Sequence, residues 1–309
     1  MAPHFRGSFV ALPTPFRDGE LDLDALGTLV ELHQRSATAG VVPTGTTGEA
    51  ATLTDDEFQQ VLHTVTEAAA GRLKVIAGIG TNNTRTTIER ALFAERVGVD
   101  GLLAVTPYYN RPSPEGLFQH FSALAKSIEL PIVLYNIPSR TGIDMTVDIV
   151  ERLTTAHANI VAIKQASRSL ARIHELADLD SIDILAGEDG LLFEFVQAGA
   201  VGAIGVLANL VPDRVARLLE LAGSPATTSP ASAVEEARKL AAELAPLVDA
   251  LFVESNPVPV KAALAMMGYM SEEVRLPLAP LRNESRAKLE RVLASFGLLD
   301  QRPVLRHLV

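Results

Sequence analysis

The sequence predicts a (β/α)8 barrel followed by a helical C-terminal extension, and three observations lead to this fold class. Short apolar runs alternate with amphipathic stretches of helical length as far as residue 223, which is the pattern of βα units. Eight such units can be counted, the number that closes a barrel. Beyond a segment rich in Gly, Ser, Thr and Pro at 223–232, the pattern is helical only.

The strands are predicted where short, β-branched apolar runs occur, as expected for buried parallel strands. They lie near 8–12, 40–44, 73–79, 100–106, 131–136, 159–164, 181–186 and 200–207. The length alone would also allow two medium domains. A doubly wound sheet rarely needs eight evenly spaced units, however, so the barrel is favoured.

Helices are predicted between and after these strands. In the barrel they lie near 22–38, 54–70, 84–97, 114–129, 146–155, 168–178, 188–198 and 211–222, and beyond it near 233–252, 257–267 and 280–296. Two starts are well marked: Thr54 to Glu57 forms a capping box, and Ser113 precedes a proline at the first helical position. We expect residues 1–223 to form the barrel with the active site, and residues 224–309 to pack on it as a helical region.

Composition narrows the classes of function. The 309 residues are 48% hydrophobic, and 27 basic against 37 acidic residues give a net charge of −10. With no basic cluster, nucleic acids and anionic membrane surfaces are poor partners. The longest apolar stretch, 198–208, is too short to span a bilayer, and the start does not resemble a signal peptide, so we expect a cytoplasmic protein.

Metal, thiol and nucleotide-cofactor chemistry have no support in the sequence. The chain has no cysteine, and its seven histidines show no paired spacing typical of metal ligands. No P-loop or complete dinucleotide-binding motif occurs. We therefore expect neither a metal nor a cofactor.

Lys164 is the most informative residue. Of six lysines, it alone closes a β-branched apolar run, at the end of the sixth predicted strand. An amine in such surroundings loses hydration, which favours its neutral and nucleophilic form and suits a Schiff base with a ketone or aldehyde. A structural lysine paired with a carboxylate would fit the same position, and this segment alone does not separate the two.

Residues of unusual type gather at the carboxyl ends of the other predicted strands, where (β/α)8 barrels carry their chemistry. They include Thr46 and Thr47 after strand two, Tyr108 and Tyr109 after strand four, Tyr135 and Arg140 at strand five, and Gly187 after strand seven. This convergence favours the Schiff-base interpretation of Lys164.

Each of these residues has a possible role and an ordinary alternative. The Thr46-Thr47 turn could hold a carboxylate, or merely connect a strand to a helix. A tyrosine could transfer protons near the lysine, or fill the core. Arg140 could bind a carboxylate through two parallel hydrogen bonds, or form a surface ion pair. Glu49 and Glu188 are more typical of residues that cap helices or brace loops than of catalytic acids.

Four motifs resemble the dihydrodipicolinate synthase / N-acetylneuraminate lyase family, and the resemblance covers nearly the whole chain. They are Gly-Thr-Thr-Gly-Glu at 45–49, Thr-Pro-Tyr-Tyr-Asn-Arg-Pro at 106–112, Leu-Tyr-Asn-Ile-Pro-Ser-Arg-Thr-Gly at 134–142, and Ile-Lys at 163–164. The resemblance implies a lyase that condenses pyruvate with L-aspartate-4-semialdehyde to 4-hydroxy-tetrahydrodipicolinate, in lysine and diaminopimelate biosynthesis. Arg140 favours this activity over sugar-acid cleavage.

The resemblance also implies residue roles. Lys164 would form the imine with pyruvate, Thr47 would hold its carboxylate, and Tyr135, Thr46 and Tyr109 would relay protons. Arg140 would receive the carboxylate of the semialdehyde, while Gly187 and Ile204 would line the pocket, Ile204 through its carbonyl. Tyr109 would reach into a neighbouring subunit of a homotetramer built as a dimer of dimers, with Tyr108 at the same interface.

The sequence departs from the family pattern at Gln165, at Gly205 and at Glu188, each on the expected pocket wall. At the positions where lysine-inhibited members bind lysine, Phe58 and Thr86 offer no group for its amines, so weak or absent inhibition is expected. Two alternatives stay open: another pyruvate-dependent aldolase, for a sugar acid or an aromatic aldehyde, and a non-catalytic barrel that binds a keto acid.

Overall fold

The computed structural model describes residues 5–223 and 230–299. Eight parallel strands close into a barrel: β1 (Gly7–Ala11), β4 (Gly40–Val42), β5 (Lys74–Gly78), β6 (Gly101–Val105), β7 (Ile132–Asn136), β8 (Ile160–Gln165), β9 (Asp183–Ala186) and β10 (Gly202–Gly205). Their order around the barrel is β1-β10-β9-β8-β7-β6-β5-β4, and β4 pairs with β1. The predicted barrel is confirmed, and each of its strands overlaps a predicted apolar run.

Eight helices follow the barrel strands. They are α1 (Leu23–Gln34), α2 (Asp55–Ala69), α3 (Thr84–Val97), α4 (Pro114–Ser127), α6 (Val147–Ala156), α7 (Leu170–Ala177), α8 (Leu192–Gln197) and α9 (Pro212–Ala222). Both predicted starts are present: Thr54 and Glu57 form a reciprocal capping box, and the Ser113 hydroxyl accepts a hydrogen bond from the amide of Gly116. These caps satisfy amide groups that have no partner within the helix.

Several short elements escaped prediction because they are too brief to show a period. They are the two-stranded hairpin of β2 (Phe16–Arg17) and β3 (Glu20–Leu21), the single-turn helix α5 (Pro138–Thr141), and 3-10 turns at Asp189–Leu191 and Leu207–Asn209. The hairpin turns through Asp18 and Gly19, both with positive φ. Helix α5 carries Arg140, so one of these missed elements belongs to the expected site.

Three further helices lie beyond the barrel, as predicted: α10 (Ala231–Leu251), α11 (Val258–Met266) and α12 (Asn283–Ser295). Helix α10 packs against α9, and α12 packs against α10 and α11. Residues 224–229 of the predicted linker, and 300–309 at the end of the predicted helical region, lie outside the described residues. Within the described ranges, no helix is both long and apolar enough to cross a membrane.

The strand register determines which side chains meet at the carboxyl end of the barrel. Tyr135 on β7 is the register partner of Lys164 on β8, and Lys164 is the partner of Leu185 on β9. Because side chains alternate along a strand, register partners on neighbouring strands point to the same face. Tyr135 and Lys164 therefore lie side by side.

Candidate active site

A pocket of about 220 Å³ opens at the carboxyl ends of the barrel strands. Its walls come from β1, β4, β6, β7, β8 and β10, from the loops after β4 and β9, from α5, and from the segment between α10 and α11. Most of the predicted site residues line it: Thr46, Thr47, Tyr135, Arg140, Lys164, Gly187 and Ile204. Residues separated by up to 158 positions in sequence thus share one cavity, because parallel barrel strands end on the same side.

Lys164 is 7% exposed, and its Nζ lies 4.3 Å from the centre of the Tyr135 ring. Its neighbours on β8, Ala162 and Ile163, are fully buried. No ion pair to Lys164 is found among the described residues. The alternative of a structural lysine paired with a carboxylate is therefore not what the described residues show.

Room for the Lys164 side chain depends on Gly187 in the next strand-end loop. A Cβ at position 187 would lie 3.1 Å from Cε of Lys164 and 2.9 Å from Cβ of Ala166. Any larger residue at position 187 would therefore occupy space that the Lys164 side chain needs.

The loop that carries Thr46 and Thr47 is held by residues from the C-terminal region. Thr47 is buried, and its Oγ1 accepts a hydrogen bond of 3.0 Å from Nδ2 of Asn256, which precedes α11. Glu49, with a φ of 52°, forms an ion pair of 2.5 Å with Lys261 of α11. Its other oxygen accepts from the amide of Arg275 at 3.0 Å. Glu49 therefore braces this loop, in agreement with the sequence analysis.

Asn256 and Lys261 were missed by the sequence analysis. Both lie more than 200 positions from the loop that they hold, and Lys261 is fully buried against the Phe16 ring. The signal available in the sequence for Lys261 was a lone charged residue within an otherwise apolar helical stretch, Val258–Met266.

Arg140 is exposed to the pocket from α5. Its Nη2 donates to the backbone oxygen of Asn256 at 3.0 Å, and among the described residues it forms no ion pair. The guanidinium thus retains donors for an anion that enters the pocket.

Two acidic residues follow β9 on the pocket wall. Asp189 is buried, and its oxygens accept from the amides of Val206 at 2.8 Å and Leu207 at 3.2 Å. Burial raises the pKa of the Asp189 carboxyl, and these two amide bonds oppose the rise. Asp189 therefore ties the end of β9 to the end of β10.

The departure at Gly205 has a packing reason. A Cβ at this position would collide with the Asp189 carboxylate. The departure at Gln165 has a hydrogen-bonding reason. Its Oε1 accepts from Nδ2 of Asn136 at 3.2 Å, and its Nε2 donates to Ser167 at 2.7 Å. A side chain that both accepts and donates suits this buried position.

The structure does not bring Tyr109 to the pocket. It is 90% exposed, and it does not line the pocket. Tyr108 lines an adjoining cavity of about 330 Å³, together with Thr46, Arg140 and Leu278. Within one copy of the chain, the expected proton relay therefore contains Tyr135 and Thr46 only.

Among the described residues, no group of three His, Cys, Asp or Glu side chains could hold a metal ion. The pocket instead combines a buried amine, hydroxyl groups, a phenol and a free guanidinium. An amine of this kind can attack a carbonyl, and the guanidinium and hydroxyl groups can bind carboxylates.

Comparison with known proteins gives a consistent result. The model of the dihydrodipicolinate synthetase family matches residues 4–296. A 4-hydroxy-tetrahydrodipicolinate synthase from Pelobacter propionicus is 46% identical over 297 residues, which cover 96% of this chain and 100% of the relative.

Solved structures agree with the sequence match. The dihydrodipicolinate synthase of Aquifex aeolicus superposes with a TM-score of 0.91 at 40% identity, covering 95% of this chain and 99% of that one. The chloride-inhibited dihydrodipicolinate synthase of Acinetobacter baumannii, complexed with pyruvate, superposes with a TM-score of 0.90 at 40% identity and the same coverage. The chain therefore belongs to the dihydrodipicolinate synthetase family.

Proposed function

We propose that this protein is a Schiff-base lyase that condenses pyruvate with L-aspartate-4-semialdehyde to 4-hydroxy-tetrahydrodipicolinate, in lysine and diaminopimelate biosynthesis. One observation carries the proposal: the buried amine of Lys164, without an ion-pair partner among the described residues, shares a pocket with Thr47, Tyr135 and Arg140. The names of the relatives, which match along almost the full chain, support the same activity.

Pyruvate would react first. The Lys164 amine attacks the keto carbon, and loss of water gives an imine, whose enamine form is the carbon nucleophile. The Thr47 hydroxyl would hold the pyruvate carboxylate, and Ile204 lines the same pocket. The Tyr135 ring lies beside Nζ, and its hydroxyl would move protons as the carbinolamine forms and loses water, with Thr46 extending this relay.

The aldehyde would enter second. The enamine carbon attacks the carbonyl carbon of the aldehyde. The carboxylate of the aldehyde substrate would pair with Arg140, which has no carboxylate partner among the described residues. The amino group of the adduct then displaces Lys164 as the ring closes. Asn256 contacts both Thr47 and Arg140, so it would connect the two proposed carboxylate sites.

A second copy of the chain would complete the site. The exposed Tyr109 would reach into the partner's pocket as the third member of the relay, with Tyr108 packed at the same interface. We propose a homotetramer, built as a dimer of dimers, in the cytoplasm. The alternative activities are not favoured: the relatives at 40–46% identity share one name, and a mere keto-acid binder needs no proton relay beside the amine.

The test is pyruvate consumption with L-aspartate-4-semialdehyde, run beside a panel of sugar acids for cleavage. We expect turnover with the semialdehyde only, and its loss in Arg140→Ala. Borohydride with pyruvate should label the wild type but not Lys164→Ala. Labelling without turnover of the semialdehyde would contradict the proposed substrate while leaving the imine chemistry intact.

A further inference from the structure

Glu188 lines the pocket that contains Lys164. The residue is half-buried and follows β9, next to Gly187. It precedes the 3-10 turn Asp189–Leu191, yet its side chain caps no amide there. Among the described residues it forms no side-chain hydrogen bond and no ion pair. The bracing role expected for Glu188 from the sequence is therefore wrong.

Asp189 shows the contrast. It also lines the pocket, but both of its oxygens accept backbone amides at 2.8 and 3.2 Å. These are the two carboxylates of the pocket lining. Of the two, Glu188 alone has both oxygens without a hydrogen-bonding partner within residues 5–223 and 230–299.

The charges around Glu188 leave its own charge poorly compensated. Burial raises the pKa of the Glu188 carboxyl, and the nearby Asp189 adds to the rise. Arg168 and Lys164 oppose it, but Arg168 is exposed and Lys164 would be converted to an imine during the reaction. A cation that enters the pocket would stabilise the ionised carboxylate.

The proposed aldehyde substrate carries such a cation. Besides its aldehyde and carboxylate, it has an α-amino group, and α-amino groups are protonated for the most part near pH 7. Arg140 can bind the carboxylate, and Lys164 fixes where the aldehyde carbon must arrive. The ammonium group still requires an acceptor in the same pocket.

We propose that Glu188 binds the α-ammonium group of the aldehyde substrate and thereby selects amino-acid aldehydes over aldehydes without an amine. This inference rests on the proposed function. Glu188 and Arg140 together would bind the ammonium and carboxylate groups at the zwitterionic end of the substrate, which a sugar acid lacks. Both groups are acidic or basic side chains with no ion-pair partner among the described residues.

The test uses two aldehydes that differ only in the amine, L-aspartate-4-semialdehyde and succinate semialdehyde. Glu188→Gln preserves shape and removes charge. We expect kcat/KM for the amino-acid aldehyde to fall about 10- to 100-fold, the range of a hydrogen bond to a charged group. The inhibition constant of succinate semialdehyde should change less than about twofold, because this aldehyde has no ammonium group for Glu188 to bind.

Two further variants sharpen the comparison. Glu194→Gln makes the same change at an exposed position of α8 outside the pocket and should alter neither aldehyde. Glu188→Asp keeps the charge on a shorter side chain and should recover part of the loss. If Glu188→Gln does not fold, as judged by circular dichroism, Glu188→Ala takes its place in the same comparison.

An equal loss with both aldehydes, or no loss with either, would overturn the inference. Pyruvate trapping by borohydride separates this outcome from failure of the proposed function. A wild type that traps no pyruvate on Lys164 contradicts the proposed function itself. A wild type that traps pyruvate, while Glu188→Gln treats both aldehydes alike, contradicts the role of Glu188 only.

Discussion

At the residue scale, the direction of the Thr47 hydroxyl is set by Asn256. Because the amide Nδ2 of Asn256 donates to Oγ1 of Thr47, the hydroxyl proton is free to point elsewhere, towards a bound carboxylate. Asn256 is buried and lies at the pocket wall. We therefore regard it as a positioning residue that acts through Thr47.

Asn256→Leu should raise KM for pyruvate about five- to tenfold, the effect of one hydrogen bond, with little change in kcat. Steady-state kinetics with varied pyruvate measure this. Asn256→Asp should raise KM for pyruvate further, because a carboxylate would accept the Thr47 proton and repel pyruvate. This KM should fall as the pH decreases and the carboxylate is protonated. In a Thr47→Val background, Asn256→Leu should have no further effect; full additivity would contradict the coupling.

At the element scale, α11 fixes the loop after β4 through the Glu49–Lys261 ion pair. Both side chains are buried, and Lys261 also lies 4.3 Å from the centre of the Phe16 ring. Breaking such a pair leaves an uncompensated charge in the interior, whereas replacing both partners can be nearly neutral.

Lys261→Met should lower the free energy of unfolding by about 3–5 kcal/mol, since Glu49 stays buried without its partner. Urea denaturation followed by circular dichroism measures the change. The double variant Lys261→Met/Glu49→Leu should be more stable than Lys261→Met alone. Equal stability of the two would show that the charge left on Glu49 is not the cause.

The surface between α2 and α3 bears on lysine inhibition, which stays a prediction. Arg90 of α3 forms an ion pair of 3.2 Å with Asp55, and its guanidinium lies 4.9 Å from the centre of the buried Phe58 ring. Because the Arg90 guanidinium already lies beside Asp55 and Phe58, it would repel the amino groups of a lysine ligand. We expect weak or no inhibition by lysine in the turnover assay, and half-inhibition below about 1 mM would contradict this.

At the scale of the whole molecule, buried histidines should make stability depend on pH. Burial lowers the pKa of His33 and of His120 to about 4, from 6.5. The unfolded chain binds protons at these groups below about pH 6.5, whereas the folded protein binds them only near pH 4. Stability is therefore complete above pH 6.5 and falls as the pH decreases from there to 4.

Between pH 7 and pH 5, the two histidines together should reduce the free energy of unfolding by about 4 kcal/mol. Urea denaturation at both pH values measures the reduction. His33→Asn should remove about half of this reduction. A dependence on pH that is unchanged in His33→Asn would contradict this cause.

The barrel, and most of the residues that line its pocket, could be predicted from the sequence. Hydrophobic periodicity is a local property, so eight βα units, the caps at Thr54 and Ser113, and the strand that ends at Lys164 could be read directly. The topology of a parallel barrel then requires Lys164, Tyr135 and the Thr46-Thr47 loop to converge.

Only the tertiary structure decided which distant groups complete the site. Asn256 and Lys261 act across more than 200 residues, and no local pattern connects them with Thr47 and Glu49. The difference between the adjacent carboxylates also depends on packing: Asp189 binds the amides of Val206 and Leu207 after β10, whereas Glu188 has no such partner among the described residues. Partners of this kind depend on packing in three dimensions, which periodicity along the chain does not encode.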